Sequence, residues 1–300
     1  MGKNNIRYIV ISPVRNEEKN IENTIQSVIS QTVQPVKWII VDDGSSDRTI
    51  DIVEKYTRDY GWISLMKLPD RGYYDLMTGG EIKAFYRGYE AIKNERYDFL
   101  SKLDGDISFN EHYYEDLFRK FQSNEKLGVA SGACYYQNND TITLEKAYKH
   151  HVRGAARVYR KQCWDEIGGV IDNLGWDAID VYKARMLGWD TYNFEDIKMI
   201  HHVVTWTKGG LLHGRERAGR MAYLMGMHPL FFYLKTAQEL FGFPYIVSAG
   251  AYIRGYRKAL LKKEDRVVSP ELMAYIRKEQ LDRIKSVFSI SKLRSCGSSR

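Results

Sequence analysis

Two carboxylates one residue apart, Asp104 and Asp106, close an apolar run in FLSKLDGDISF, residues 99–109. Phe99-Leu100-Ser101-Lys102-Leu103 reads as a buried strand, and Gly105 lets the backbone turn between the two acids. Acids crowded at a strand end repel each other unless positive charge sits with them. A hard divalent cation held by oxygens, with substrate phosphates in its remaining positions, meets that need. A solvated polar turn would explain D-x-D alone. A second acidic pair, Asp42-Asp43, closes another apolar run, Trp38-Ile39-Ile40-Val41, about sixty residues upstream. Two strands ending in paired acids point to one site at one edge of a sheet.

The elements that must position these acids follow from the hydrophobic period. Short β-branched runs occur at Tyr8-Ile9-Val10-Ile11 and at residues 38–41, with a weaker one at Ile63-Ser64-Leu65-Met66. Between the first two, EEKNIENTIQSVISQ puts Ile21, Ile25, Val28 and Ile29 on one helical face. RTIDIVEKYTRDY does the same with Ile52, Val53, Tyr56 and Tyr60, and Ser45, Ser46 and Asp47 offer oxygens for its N-terminus. IKAFYRGYEAIKN is a third helix, leading to the strand before Asp104. Strands joined by helices of this length imply right-handed crossovers and a parallel sheet. Ligands of such sheets bind beyond the carboxyl ends of the strands, where Ser12-Pro13, Asp42-Asp43 and Asp104-Asp106 all fall. Neither G-x-G-x-x-G after the first strand nor G-x-x-x-x-G-K-[ST] occurs. Phosphate binding would therefore rely on a metal and scattered side chains.

Further along, LGVASGAC reads as a strand and QNNDTITLEK as a polar loop. VRGAARVYRKQCWDEIGG reads as a helical segment ending in paired glycines, and GWDAIDVYKARMLGW as another helix. Residues 221–253 are apolar and aromatic but broken by His228-Pro229, Gly242 and Pro244. Their apolar stretches fall short of the ~20 residues that span a bilayer, which leaves amphipathic or half-buried helices.

At 300 residues, 44% hydrophobic and 28% charged, the chain suits one large domain or a domain with an appendage. The net charge of +7 is uneven: residues 254–300 hold 13 Lys or Arg against 5 Asp or Glu. This basic tail suits phosphate-rich partners such as anionic lipid, and a peripheral membrane contact is one expectation. No nucleic-acid module is recognisable, so nucleic acid is not expected as a partner. Cys134, Cys163 and Cys296 lack metal-ligand spacing, which favours a reducing, cytoplasmic setting. The N-terminal apolar run is too short for a secretory leader.

The pieces SPVRNEEKNI with SVISQT, VDDGSSDRT, KLDGDISF and GWDAIDVYKARMLGW occur in order over about residues 5–205. As a set this resembles the family 2 glycosyltransferases. The resemblance implies an α/β GT-A fold: a Rossmann-like, mainly parallel sheet flanked by helices, with a helical, basic C-terminal extension at 206–300. A catalytic domain at 1–205 would divide into a nucleotide-sugar half, about 1–110, and an acceptor half, about 111–205.

The resemblance also assigns roles. Asp43 resembles the residue that recognises the base or ribose of the donor, with Ser12, Pro13 and Glu17 lining the same pocket. Asp106 becomes the direct metal ligand, and Asp104 contacts ribose or the metal. The usual Glu-Asp pair of the acceptor helix is altered to Trp176-Asp177, which puts Asp177 at the base position. One of His201 and His202 would serve the metal or pyrophosphate, His201 being taken here as the ligand. Lys83 and Arg71 are candidates for neutralising phosphates. No Q-x-x-R-W motif is present, so the resemblance to processive synthases fails at the residues that mark processivity.

The implied reaction moves a sugar, with inversion, from a nucleoside diphosphate to an acceptor hydroxyl. The donor would be a UDP-sugar first and a GDP-sugar second, and the cofactor Mg or Mn. The acceptor would be a carbohydrate or a lipid-linked molecule, in cell-surface polysaccharide or glycoconjugate synthesis at the inner face of the membrane. Residues 137–143 and those after Thr205 are candidates for a closing lid. Two rivals are a nucleotidyltransferase, which would want a Gly-rich basic signature where this chain has SPVRNEE, and a catalytically silent nucleotide-sugar-binding scaffold.

Overall fold

The computed structural model describes residues 6–70, 80–138, 141–145, 152–203, 210–241 and 245–296. These form two compact units, Met1–Val204 and Thr205–Arg300.

The first unit begins with β1 (Tyr8–Val14), α1 (Ile21–Ile29), β2 (Lys37–Asp42), α2 (Thr49–Asp59), β3 (Ile63–Lys67), α3 (Gly80–Glu90) and β4 (Phe99–Leu103). β1 is buried at every position, as a strand covered on both faces must be. Its side chains alternate between two cores. Tyr8, Val10 and Val14 join Ile21, Ile25 and Val28 of α1, whereas Ile9 and Ile11 join Ile82 and Phe85 of α3. Each such aliphatic residue removed from water contributes about 2 kcal/mol. Parallel pairings then set the order β3-β2-β1-β4, so all four carboxyl ends lie along one edge.

After β4 the chain forms β5 (Ile107–Phe109), α4 (Tyr113–Ser123), β6 (Leu127–Asn138), β7 (Thr141–Leu144) and β8 (Ala156–Arg160). Next come α5 (Lys161–Ile167), α6 (Trp176–Met186) and β9 (Asp190–His201). The sheet continues beyond β4 as β8-β6-β9-β5, with β8 antiparallel to both β4 and β6. Two local readings are corrected here. The segment read as one helix from Val152 contains β8 before α5, because Ala156 and Val158 enter one core and Tyr159 the other. The stretch read as a polar loop includes β7, paired with the far end of β6.

The second unit holds α7 (Leu211–Leu224), α8 (Pro229–Leu240), α9 (Ile246–Leu261) and α10 (Pro270–Cys296). Pro229 opens α8 at a position that needs no N–H donor, and the His228 side chain accepts from Leu230 N. α7 and α9 cross closely because Gly219 faces the Tyr252 backbone and Gly255 the Glu216 backbone, leaving no room for a Cβ. No helix among the described residues is long and apolar enough to cross a membrane.

Candidate active site

The loops after β1 and β2 are stitched together by side chains. Asn16, held at φ 54°, donates from its backbone to Ser45 Oγ at 2.9 Å and accepts from Ser46 N at 2.8 Å. Glu17 N donates to Thr49 Oγ1 at 2.8 Å, and Arg15 bridges the Asp43 carbonyl and the Asp70 carboxylate. The two acids ending β2 divide their work. Asp42 Oδ2 accepts from Gly44 N and Ser45 N at 3.1 and 3.0 Å, which fixes the turn. Asp43 follows it, buried, with its backbone N–H on the Val14 carbonyl. Ser12 is fully buried and accepts from the Trp38 indole at 2.9 Å, so its hydroxyl serves the core beneath the loops.

The D-x-D turn sits on α1. A Cβ at Gly105 would meet Val14 Cγ1 at 2.9 Å and Glu17 Cγ at 3.3 Å, and Thr24 Oγ1 holds the Gly105 carbonyl at 2.9 Å. Gly105 has no positive φ, so close approach rather than a special turn requires glycine here. Asp106 is buried, and its Oδ2 lies 3.2 Å from His201 Nε2. The imidazole stacks on Tyr136, with ring centroids 5.8 Å apart. His202 points to Ser108, its Nε2 2.8 Å from the hydroxyl. Of the two histidines, His201 is therefore the one brought to the acids. Burial works against a charged His201, but its hydrogen bond to Asp106 and the charges of Asp106, Asp104 and Glu145 hold its pKa above the usual value.

Asp104 is raised to about 7, chiefly by desolvation; Lys102 pulls it down while Glu81 and Asp106 repel it. The Asp104 and Asp106 carboxylates, beside the His201 imidazole, form a donor set of hard oxygens and one nitrogen that suits a divalent cation. Cys134 Sγ, a Glu145 carboxylate oxygen and a His201 ring nitrogen lie within 4.8 Å of one another. Burial pushes the Cys134 thiol up to about 12, which makes it a poor ligand beside the carboxylates.

Beneath the turn runs a network of buried charge. Lys102, 2% exposed, pairs with Asp104 and lies 3.8 Å from Glu81. The Trp176 indole donates to Glu81 at 2.9 Å and stacks under Lys102, whose Nζ is 4.8 Å from the ring centroid. On β8, opposite Lys102, stands Arg157, with no exposure. Its guanidinium bonds Asp180 Oδ2 at 2.5 Å, the Asp177 carbonyl at 2.8 Å and the Val152 carbonyl, and lies 5.3 Å from the Trp176 ring. Tyr159 donates to the same Asp180 oxygen. The first turn of α6, which carries Asp177, is thus tied to the strand that ends in Asp104. Asp180 is occupied by Arg157 and Tyr159, whereas Asp177 keeps a half-exposed side chain.

The strand ends therefore bring together Pro13, Glu17, Asp43, Asp104, Asp106 and His201, with Asp177 reached through Trp176. Lys83 is not drawn in: it is exposed on α3, 4.0 Å from Asp172. Arg71 and the middle of the candidate lid at 137–143 lie outside the described residues, as do 204–209. The sequence reading missed Lys102, Glu81 and Arg157. A lone Lys in a buried strand, two residues before an acid on the same face, is the signal that could have found Lys102.

The family profile described as Glycosyl transferase family 2 matches residues 9–175, more than half of the chain. The chain is 22% identical over 246 residues to the poly-beta-1,6-N-acetyl-D-glucosamine synthase of Staphylococcus aureus, covering 74% of this chain and 56% of that protein. It is 24% identical over 228 residues to the enzyme of the same name from Staphylococcus epidermidis, covering 67% and 51%. It thus spans about half the length of these curated relatives. Among solved structures, the mannosyltransferase PcManGT from Pyrobaculum calidifontis, in complex with GDP-Man and Mn2+, superposes with a TM-score of 0.54. Identity there is 15%, over 94% of this chain and 80% of that one. S. aureus TarS 1-349 in complex with UDP gives 0.51 at 16% identity, over 86% and 72%. The fold is the GT-A type.

Proposed function

The chain belongs to glycosyl transferase family 2, and on that premise we propose that it transfers a sugar, with inversion, from a nucleoside diphosphate to an acceptor hydroxyl. The observation that carries this reading is the convergence of Asp104, Asp106 and His201 at one strand edge, linked through Lys102 and Trp176 to the helix of Asp177.

Asp43, Pro13 and Glu17 receive the nucleotide, with Ser12 supporting the pocket from below. A Mg2+ or Mn2+ ion held by Asp104, Asp106 and His201 would offset the charge that gathers on the departing diphosphate. Lys102 holds Asp104 in place from inside the protein. Asp177 takes the proton of the acceptor hydroxyl as it attacks the anomeric carbon from the face opposite the leaving group, which gives inversion.

The donor is a UDP- or GDP-sugar; TarS and PcManGT carry UDP and GDP-Man. The acceptor is a carbohydrate or lipid-linked molecule, and the setting is polysaccharide or glycoconjugate synthesis at the cytoplasmic side of a membrane. Thermal unfolding with UDP-, GDP- and dTDP-sugars, each with and without Mn2+, tests the reading, because a ligand of the folded state raises its stability. One nucleotide class should raise the melting temperature, and more so with Mn2+. Stabilisation by none of the three would remove the donor from the account.

A further inference from the structure

From Pro229 to Lys263 the chain contains one carboxylate, Glu239, and it is buried between Arg215 and Lys235, 3.2 Å from each. The surface of α8 and α9 therefore presents no negative charge of its own. Along α8 and its C-cap, Leu230, Tyr233, Leu234 and Phe241 recur at the spacing of one helical face. All four are exposed, Tyr233 by 69% and Phe241 by 84%. On α9 the outward face begins with Ile246, 74% exposed, and turns basic at Arg257, Arg254 being paired with Glu216 of α7, while Ala249, Tyr252 and Ala259 are buried. Lys262 and Lys263 follow, also exposed.

A contiguous apolar stripe of this kind marks a surface that something covers. We infer that α8 and α9 form an interfacial docking surface for an anionic lipid bilayer. Tyr233, Leu234, Phe241 and Ile246 enter the boundary between headgroups and acyl chains, and Arg257, Lys262 and Lys263 meet the lipid phosphates. The helices lie in the interface, since no described helix can cross a membrane. A second copy of the same surface would set basic residues against basic residues. A nucleic acid would leave the apolar stripe in water. The inference rests on this surface and not on sugar transfer, and its readout needs no turnover.

The test is sedimentation of the whole chain with vesicles of phosphatidylcholine alone or with phosphatidylglycerol added. Binding is expected to the anionic vesicles only, and to weaken as salt rises from ~50 to ~500 mM. The double variants Tyr233→Ser/Phe241→Ser and Arg257→Glu/Lys262→Glu should each weaken partition roughly tenfold. Both should keep the wild-type melting temperature, because all four side chains are exposed. Absence of wild-type binding, or binding that neither variant weakens, overturns the inference. Light scattering across protein concentration and titration with single-stranded RNA run alongside. Dimerisation lost in the apolar variant, or RNA binding lost in the charge variant, without vesicle binding, would give the surface to that other partner and overturn the lipid assignment.

Discussion

Lys102 and Arg157 stand opposite each other in the antiparallel pairing of β4 and β8, both buried, and the Trp176 indole lies against both cations. Two like charges at this depth persist because Asp104, Glu81 and Asp180 surround them. One set of carboxylates belongs to the donor side of the site, the other to the helix of Asp177.

Removing Lys102 leaves Asp104 and Glu81 facing each other without their cation. Lys102→Met should cost about 3 kcal/mol of stability, as breaking a buried pair does. The double variant Lys102→Met/Asp104→Asn should recover part of that loss, because the stranded charge goes with its partner. Urea unfolding of the three proteins checks it. Equal stability of Lys102→Met and wild type would mean the pair contributes nothing.

Arg157 acts through Asp177, whose carbonyl it holds. A lysine keeps the charge but cannot reach Asp180 and two carbonyls at once. Arg157→Lys should therefore lower kcat about tenfold or more, while the donor dissociation constant stays within about threefold. Asp177→Asn should go further, about 100-fold or more, with donor affinity again retained. If donor affinity fell in step with turnover in Asp177→Asn, Asp177 would be a donor ligand, and the base would lie elsewhere.

The neighbours Asp42 and Asp43 should separate cleanly. Asp42→Ala removes the acceptor for Gly44 N and Ser45 N and should destabilise the fold by about 1–2 kcal/mol. Asp43→Ala should weaken binding of the free nucleoside diphosphate even without metal, which Asp42→Ala should not do in the protein that remains folded. Calorimetric titration with UDP and GDP, together with thermal melts, distinguishes the two. An unchanged titration for Asp43→Ala would return that residue to a structural role.

Much of this was legible in the chain. The runs at 8–11, 38–41 and 99–103 are mostly apolar because they are buried on both faces, and the acids that follow the last two lie at the same edge of the sheet. One cause of what was hidden is a charged residue facing inward. Arg157 breaks the apolar alternation of ARVYR, so a buried strand read as part of a helix, although Val158 and Tyr159 sit in opposite cores. Lys102 interrupts FLSKL too, yet that run still reads as a strand; what stayed hidden was its pairing with Asp104 and its approach to Glu81. Ser12 falls among the residues read as lining the nucleotide pocket, and sequence alone does not show that its hydroxyl accepts from the Trp38 indole. Long-range pairs of this kind appear only once the strands are aligned.

The most direct test is calorimetric titration of a UDP- or GDP-sugar into wild type and Asp106→Asn, each with Mn2+ and with EDTA. Wild type should bind at least about tenfold more tightly with Mn2+ than with EDTA, and Asp106→Asn should bind the donor equally weakly in both. The same wild-type affinity with EDTA as with Mn2+, matched by Asp106→Asn, would contradict the account.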